Sequence, residues 1–304
     1  MRLAIVVLAL LSCLPAQVSE GSKPEWCRKL PRPAYRNLER VAIKDPWFEV
    51  YKIRPGVFAI YEPHQSEEVI SYLVSGTTRA LLFDTGMGIS NIRDVVEGLI
   101  NLPVSVVNSH THNDHVGDNW RFSDIYAMDT DFTRANARGS KVDAQAEIAP
   151  GEVCGDLPPG FNAAEYSTKP FHISHWIHDH DKIDLGGRVL EVISVTGHTP
   201  DAIALLDEKN GLLFTGDTFY AGPIWLFRPE TDLDAYVASV KKLASLSSKL
   251  QLLLPAHNEP VANPAVLPRV VEAMNEIRSG KIKAKPRDGK QEYFFDGFSF
   301  LMSK

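Results

Sequence analysis

Apolar positions along the chain fall in short runs divided by turn residues, the pattern of strands alternating with helices. Residues 48–53, 57–61, 69–74 and 80–83 are rich in β-branched and aromatic side chains and read as strands. Asp84-Thr85-Gly86-Met87-Gly88 interrupts them as a turn. Ile92, Val95, Val96 and Leu99 then share one face of a helix expected over residues 89–100. Residues 104–108 form a short buried strand. Further strands are expected at 189–195, 203–206, 212–215 and 252–254, with helices at 233–246 and 265–277. Residues 129–170 differ, with two helical stretches (130–138 and 142–148) before a loop rich in proline and glycine. They read as an insertion of the kind that serves as a lid. The pattern therefore predicts an α/β domain over residues 48–280, an N-terminal arm over 22–47 and a C-terminal tail over 281–304.

The first residues lie apart from this pattern. Met1-Arg2, an apolar run over 3–14 and a small, polar stretch over 15–22 read as a signal peptide spanning 1–21. The run is too short for a comfortable membrane span. Cleavage after Ala16 and after Gly21 both fit, and lipidation of Cys13 is a third alternative. A secreted or periplasmic location is expected, with membrane contact only if Cys13 is lipidated. The mature chain then keeps Cys27 and Cys154, which either pair as a disulfide or stay as two buried thiols.

Composition narrows the function classes. With 44% hydrophobic and 23% charged residues, the 304-residue chain is that of an ordinary globular protein. A net charge of -6 without a basic stripe argues against a nucleic-acid partner and leaves a small-molecule substrate as the expected one.

The chemistry concentrates where strands end. His110-Thr111-His112-Asn113-Asp114-His115 follows the strand at 104–108 directly. Alternate residues at a strand exit point the same way, so His110 and His112 can share one ion while Asp114 and His115 reach a second. Downstream, His198 in Thr196-Gly197-His198, Asp217 in Thr215-Gly216-Asp217 and His257 in Pro255-Ala256-His257 each follow an apolar strand. A lone histidine after a strand is usually a loop histidine; four such joints in one chain point to a shared metal site.

With these residues in place, the chain resembles the metallo-β-lactamase superfamily over about residues 48–280. The resemblance implies a four-layer αββα sandwich of two mixed β-sheets with a dinuclear metal site along its edge. It implies that His110, His112 and His198 hold a first metal, that Asp114, His115 and His257 hold a second, and that Asp217 bridges them. Asp84 matches a turn aspartate that is usually not a ligand and is expected to hold the loop through hydrogen bonds. The implied cofactor is two zinc ions, with iron or manganese as alternatives. The implied activity is hydrolysis of an ester, lactone or thioester by a metal-bridging hydroxide, with Asp114 orienting the nucleophile and moving its proton.

The bridging carboxylate separates branches of the superfamily. Its β-lactamases usually carry Cys or Ser at that position, so Asp217 makes the chain more similar to lactonases and hydroxyacylglutathione hydrolases. Tyr220 stands at the offset where the lactonases carry a substrate-contacting tyrosine; it is read either in that role or as a packed loop aromatic. The lysines and arginines after Ser279 are too generic to read as a glutathione-binding segment. A β-lactamase and an iron-dependent redox enzyme of the same fold are the competing readings. His172, His175, His178 and His180 are explained better by alternation on a strand than by another metal site. Ile224-Trp225-Leu226-Phe227 is either a pocket wall or core.

Overall fold

The computed structural model describes residues 23–304; the expected signal peptide and Cys13 lie outside the described residues. An eight-stranded sheet runs in chain order through β1 (Glu39–Val41), β2 (Glu49–Arg54), β3 (Val57–Tyr61), β4 (Ile70–Ser75), β5 (Ala80–Phe83), β6 (Val104–Val107), β7 (Ile125–Met128) and β8 (His175–Ile177). Neighbours from β1 to β5 are antiparallel; those from β5 to β8 are parallel. A five-stranded sheet contains β9 (Lys182–Asp184), β10 (Val189–Ser194), β11 (Ile203–Asp207), β12 (Leu212–Gly216) and β14 (Leu252–Pro255), in the order β14-β12-β11-β10-β9. Only its β12–β14 pair is parallel.

Period-two alternation sorts the side chains into layers. Tyr72, Val74, Leu81 and Phe83 enter the core between the sheets and meet Val192, Leu205, Phe214 and Leu254 from the other side. Their neighbours Leu73, Ala80 and Leu82 face outward onto Ile92, Val95 and Val96 of helix α1 (Ile92–Leu99). The short helices α2 (Asn113–Val116), α3 (Asp131–Asn136) and α4 (Val142–Ala146) come next in the chain. Leu213 and Leu253 face outward onto α5 (Leu233–Leu246) and α6 (Val266–Arg278). The result is the expected αββα sandwich. Helix starts follow local chemistry: the Asp232 carboxylate accepts from the Asp234 and Ala235 amides at 2.9 and 3.0 Å and opens α5.

The C-terminal segment behaves differently from expectation. Residues 281–304, expected as a tail, contribute β15 (Lys285–Arg287), β16 (Lys290–Phe295) and β17 (Phe298–Met302). With β13 (Pro223–Leu226) these form a four-stranded sheet ordered β13-β17-β16-β15. Two Asp-Gly turns, Asp288-Gly289 and Asp296-Gly297, close the hairpins at the pairs Arg287–Lys290 and Phe295–Phe298. That dipeptide is a strong hairpin signal, so this part was legible in the sequence. Phe298, Phe300 and Met302 bury against the α5–α6 side of the molecule. Among the described residues no helix is long and apolar enough to cross a membrane.

The arm is tied down as well. Cys27 and Cys154 form a disulfide, Cα–Cα 5.7 Å, which joins the arm to the insertion. Arg32 makes paired hydrogen bonds to the buried Glu68 carboxylate, both at 2.6 Å, and a further one to Asn258 Oδ1 at 2.6 Å. Tyr61 donates to the same carboxylate at 2.7 Å. Arg32→Met would leave a buried carboxylate without its cation. The expected loss of stability is about 2 kcal/mol, discounted because the arginine is partly exposed. Urea unfolding of the variant checks this, and an unchanged midpoint would show that the pair contributes nothing net.

Candidate metal centre

Strand direction assembles the site. β5 and β6 are parallel, and β10 and β12 run the same way because each is antiparallel to β11. β14 is parallel to β12. The segments after these strands meet at one edge of the sandwich: Asp84 after β5, His110 to His115 after β6, His198 after β10, Asp217 after β12 and His257 after β14. Asp114 and His115 sit on the single helical turn α2 (Asn113–Val116) rather than in plain loop. Gly197 sets the approach of His198. Its φ is +133°, and a Cβ there would lie 2.2 Å from the Tyr236 amide nitrogen, so any larger residue would push the loop off α5.

The side chains form two donor sets. His110 Nε2 lies 3.0 Å from His112 Nδ1, which lies 3.2 Å from His198 Nε2. Asp114, His115 and His257 converge likewise, with His115 Nε2 3.0 Å from Asp114 Oδ2 and 3.3 Å from His257 Nε2. Asp217 stands between the sets. Its Oδ1 is 3.4 Å from His115 Nε2 and 3.1 Å from His257 Nε2, and its Oδ2 is 3.6 Å from His198 Nε2.

Whether a cation fits follows from the hydrogen bonds behind the ligands. His198 Nδ1 donates to the Trp225 carbonyl at 2.8 Å and His257 Nδ1 to the Glu67 carbonyl at 2.7 Å. A carbonyl only accepts, so each ring spends its Nδ1 proton outward and leaves Nε2 facing the centre. His115 Nδ1 faces Asp84 Oδ2 at 3.0 Å, and His112 Nε2 faces Glu230 Oε1 at 2.8 Å. Ring nitrogens and carboxylate oxygens therefore face one another across about 3 Å, which is favourable only with positive charge, on protons or metal ions, between them. Asp217 Oδ1 is buried and faces only the ring nitrogens of His115 and His257, which agrees. The donor set fits metal ions.

The electrostatics carry the same message. Burial opposes charge on Asp217, yet His257 and His115 hold its carboxyl well below the usual range. Burial pushes His198 down to about 4. Burial also opposes charge on His257, but Asp217 overrides it and raises the ring to about 9. The carboxylates thus favour positive charge on His257 and His115, a role that a bound metal would take over.

A family model described as the Metallo-beta-lactamase superfamily matches residues 68–257. The chain belongs to that superfamily. It is 28% identical over 224 residues to Acyl-coenzyme A thioesterase MBLAC2 of Gallus gallus, a match covering 69% of this chain and 80% of the relative. It is 27% identical over 195 residues to the Hydroxyacylglutathione hydrolase of Aeromonas hydrophila, covering 63% and 62%. Among solved structures, a metallo-beta-lactamase from Pontibacter korlensis superposes with a TM-score of 0.55 at 19% identity, covering 75% of this chain and 99% of that one. This last likeness speaks to the fold. The chain is a hydrolase of the superfamily.

Within that family frame, the structure brings every residue expected as a ligand to one centre. Asp84 holds it from behind, accepting from the Ser109 amide at 2.6 Å while adopting a left-handed φ of 66°, a conformation retained at a cost where position matters. The structure places the Tyr220 hydroxyl on backbone groups. It donates to the Pro223 carbonyl at 2.8 Å and accepts from the Trp225 amide at 3.1 Å. The phenol pins the turn into β13, and only its ring meets the centre, 4.9 Å from that of His257. The histidines at 172, 175, 178 and 180 are exposed, and His175 and His180 bond to Asp124 and Glu191.

Other residues complete the site without a motif to announce them. Glu230 orients His112. Buried Asp201 accepts from Thr111 at 2.6 Å, Thr133 at 3.1 Å and Thr199 at 2.7 Å, locking two ligand loops to the insertion. Glu147 of the insertion accepts from Asn113 and Gln65, and burial, then Asp114, pushes its carboxyl up to about 7. A cleft of about 260 Å³ opens beside His112, walled by Phe132, Asn136 and Ser140 of the insertion on one side and Arg228 and Glu230 on the other. Trp225 and Phe227 are half-buried, whereas Ile224 and Leu226 are core.

Proposed function

We propose that this chain is an exported thioester hydrolase that holds two zinc ions. One set would be His110, His112 and His198, the other Asp114, His115 and His257, with Asp217 shared. Zinc held there would supply Lewis acidity towards a water nucleophile and the scissile carbonyl. Asp114 and His112 are the most exposed of the ligands, with side chains 13% and 18% exposed, so Asp114 is the carboxylate placed to orient the water. Water oxygen adds to the carbonyl carbon and Asp114 takes the water's proton, while the carbon–sulfur bond breaks and the sulfur leaves as thiolate.

The commitment of the Tyr220 hydroxyl to backbone carries this reading. A lactone or ester releases an alkoxide, which needs a positioned donor. A thiol has a pKa of about 8.5 and leaves as thiolate without one. The names of the relatives, acyl-coenzyme A thioesterase and hydroxyacylglutathione hydrolase, support the same chemistry. The Cys27–Cys154 disulfide supports an oxidising compartment. Ester or lactone cleavage is the second reading, favoured by the same carboxylate bridge.

Purified full chain should contain zinc and hydrolyse acyl thioesters at rates roughly a hundredfold or more above lactones and cephalosporins. Chelation should abolish turnover and added zinc restore it. Iron without zinc in the native protein, or efficient cephalosporin hydrolysis with no thioester activity, would overturn the proposal. Intact mass of exported material should lack residues 1 to about 20.

A further inference from the structure

We propose that the thiol half of the substrate carries phosphate groups and lies on a cationic, aromatic ledge formed by Trp225, Phe227, Arg228 and Lys290. The ledge adjoins the reaction centre. The Trp225 carbonyl is bonded to His198, and Arg228 lines the same cleft as His112. The Arg228 guanidinium lies 5.8 Å from the ring centres of both Trp225 and Phe227, and Lys290 Nζ lies 4.3 Å from the centre of Phe227.

Strand register places the second cation. Leu226 pairs with Met302, and Met302 pairs with Gln291. Phe227 and Lys290 are the next residues outward along β13 and β16, so both emerge at the same end of the four-stranded sheet. The two strands are separated by β17, about 10 Å in all. Ser303 confirms the closeness of this edge, donating to the Phe227 carbonyl at 3.1 Å.

Charge sets the class of ligand. Over residues 281–290, Lys281, Lys283, Lys285, Arg287 and Lys290 face a single acid, Asp288, in a chain whose net charge is -6. Lys281 is paired with Glu276 and Arg287 with Glu292. Among the described residues Arg228 and Lys290 have no ion pair, and Glu230, the acid nearest Arg228 in sequence, is bonded to His112. Two free cations flanking aromatic faces suit phosphates joined to a stackable ring, a nucleoside bisphosphate above all. Binding energy from this distant half would be available to position the thioester at the centre.

The reaction part rests on the thioester reading; the binding part does not. The probe is adenosine 3′,5′-bisphosphate, titrated calorimetrically into the full chain. It should bind, more weakly as salt is raised, and Arg228→Gln with Lys290→Gln should weaken it by about tenfold or more. Two thioesters of one acyl group are then compared, one on a nucleoside-bisphosphate thiol and one on N-acetylcysteamine. The double variant should lower the preference for the first by about tenfold or more, through KM. If neither thioester is cleaved, the thioester reading fails, and the calorimetry still decides the ledge. No bisphosphate binding, binding indifferent to the two substitutions, or capture by anionic phospholipid vesicles without bisphosphate binding would overturn the ledge.

Discussion

Asp114→Asn is expected to lower kcat by about a thousandfold, equivalent to about 4 kcal/mol of transition-state stabilisation, while the fold is kept. Asparagine has the same shape, so the packing of α2 need not change. What disappears is the negative charge beside His115 and His257 and the group that takes the water's proton. The first donor set, His110, His112 and His198, does not include Asp114, so metal content should fall by about half rather than to zero. Steady-state kinetics, elemental analysis and thermal unfolding on the same preparation separate these effects. Turnover near that of the parent protein would place the reaction somewhere other than this centre.

Reducing the Cys27–Cys154 bond is expected to cost about 4 kcal/mol of stability. The two residues are 127 apart in sequence. Freeing a loop of that length returns much conformational entropy to the unfolded chain, close to the upper end of what one disulfide contributes. The loss should also act locally. The Trp26 indole donates to the Gly151 carbonyl at 2.8 Å, and the Cys154 amide donates to the His64 carbonyl at 2.8 Å. Arm, insertion and the loop before β4 are therefore held at one point, and that loop supplies the Glu67 carbonyl that orients His257. Urea unfolding of Cys27→Ser/Cys154→Ser against the parent is the direct measurement. Coincident unfolding curves would show that the bond ties together segments already held by other contacts.

Much of this centre could be read one strand at a time. Each ligand follows an apolar run, and the interval between His110 and His115 alone contains donors for both sets. The Asp-Gly turns at 288–289 and 296–297 carried an equally local signal for the hairpins that replace the expected tail. Other features had no such signal. Glu230 and Asp201 look like ordinary loop acids, and Arg32 like one more basic residue of a polar arm. Their roles depend on partners 118 residues away for Glu230 and 226 away for the Arg32–Asn258 bond.

By itself, the sequence determined the donor atoms, the strands that deliver them and the alternation that divides each strand between two layers. These depend on side-chain chemistry and on a two-residue repeat, both local properties. Only the tertiary structure decided that Tyr220 spends its hydroxyl on the Pro223–Trp225 backbone, that Cys27 finds Cys154, and that β17 pairs with β13 to bring Lys290 beside Phe227. A hydroxyl, a thiol or a strand edge accepts any partner of suitable chemistry. Which partner it receives is set by how whole layers stack, because burial of the apolar faces fixes the backbone first and the polar groups bond to whatever that packing brings within reach.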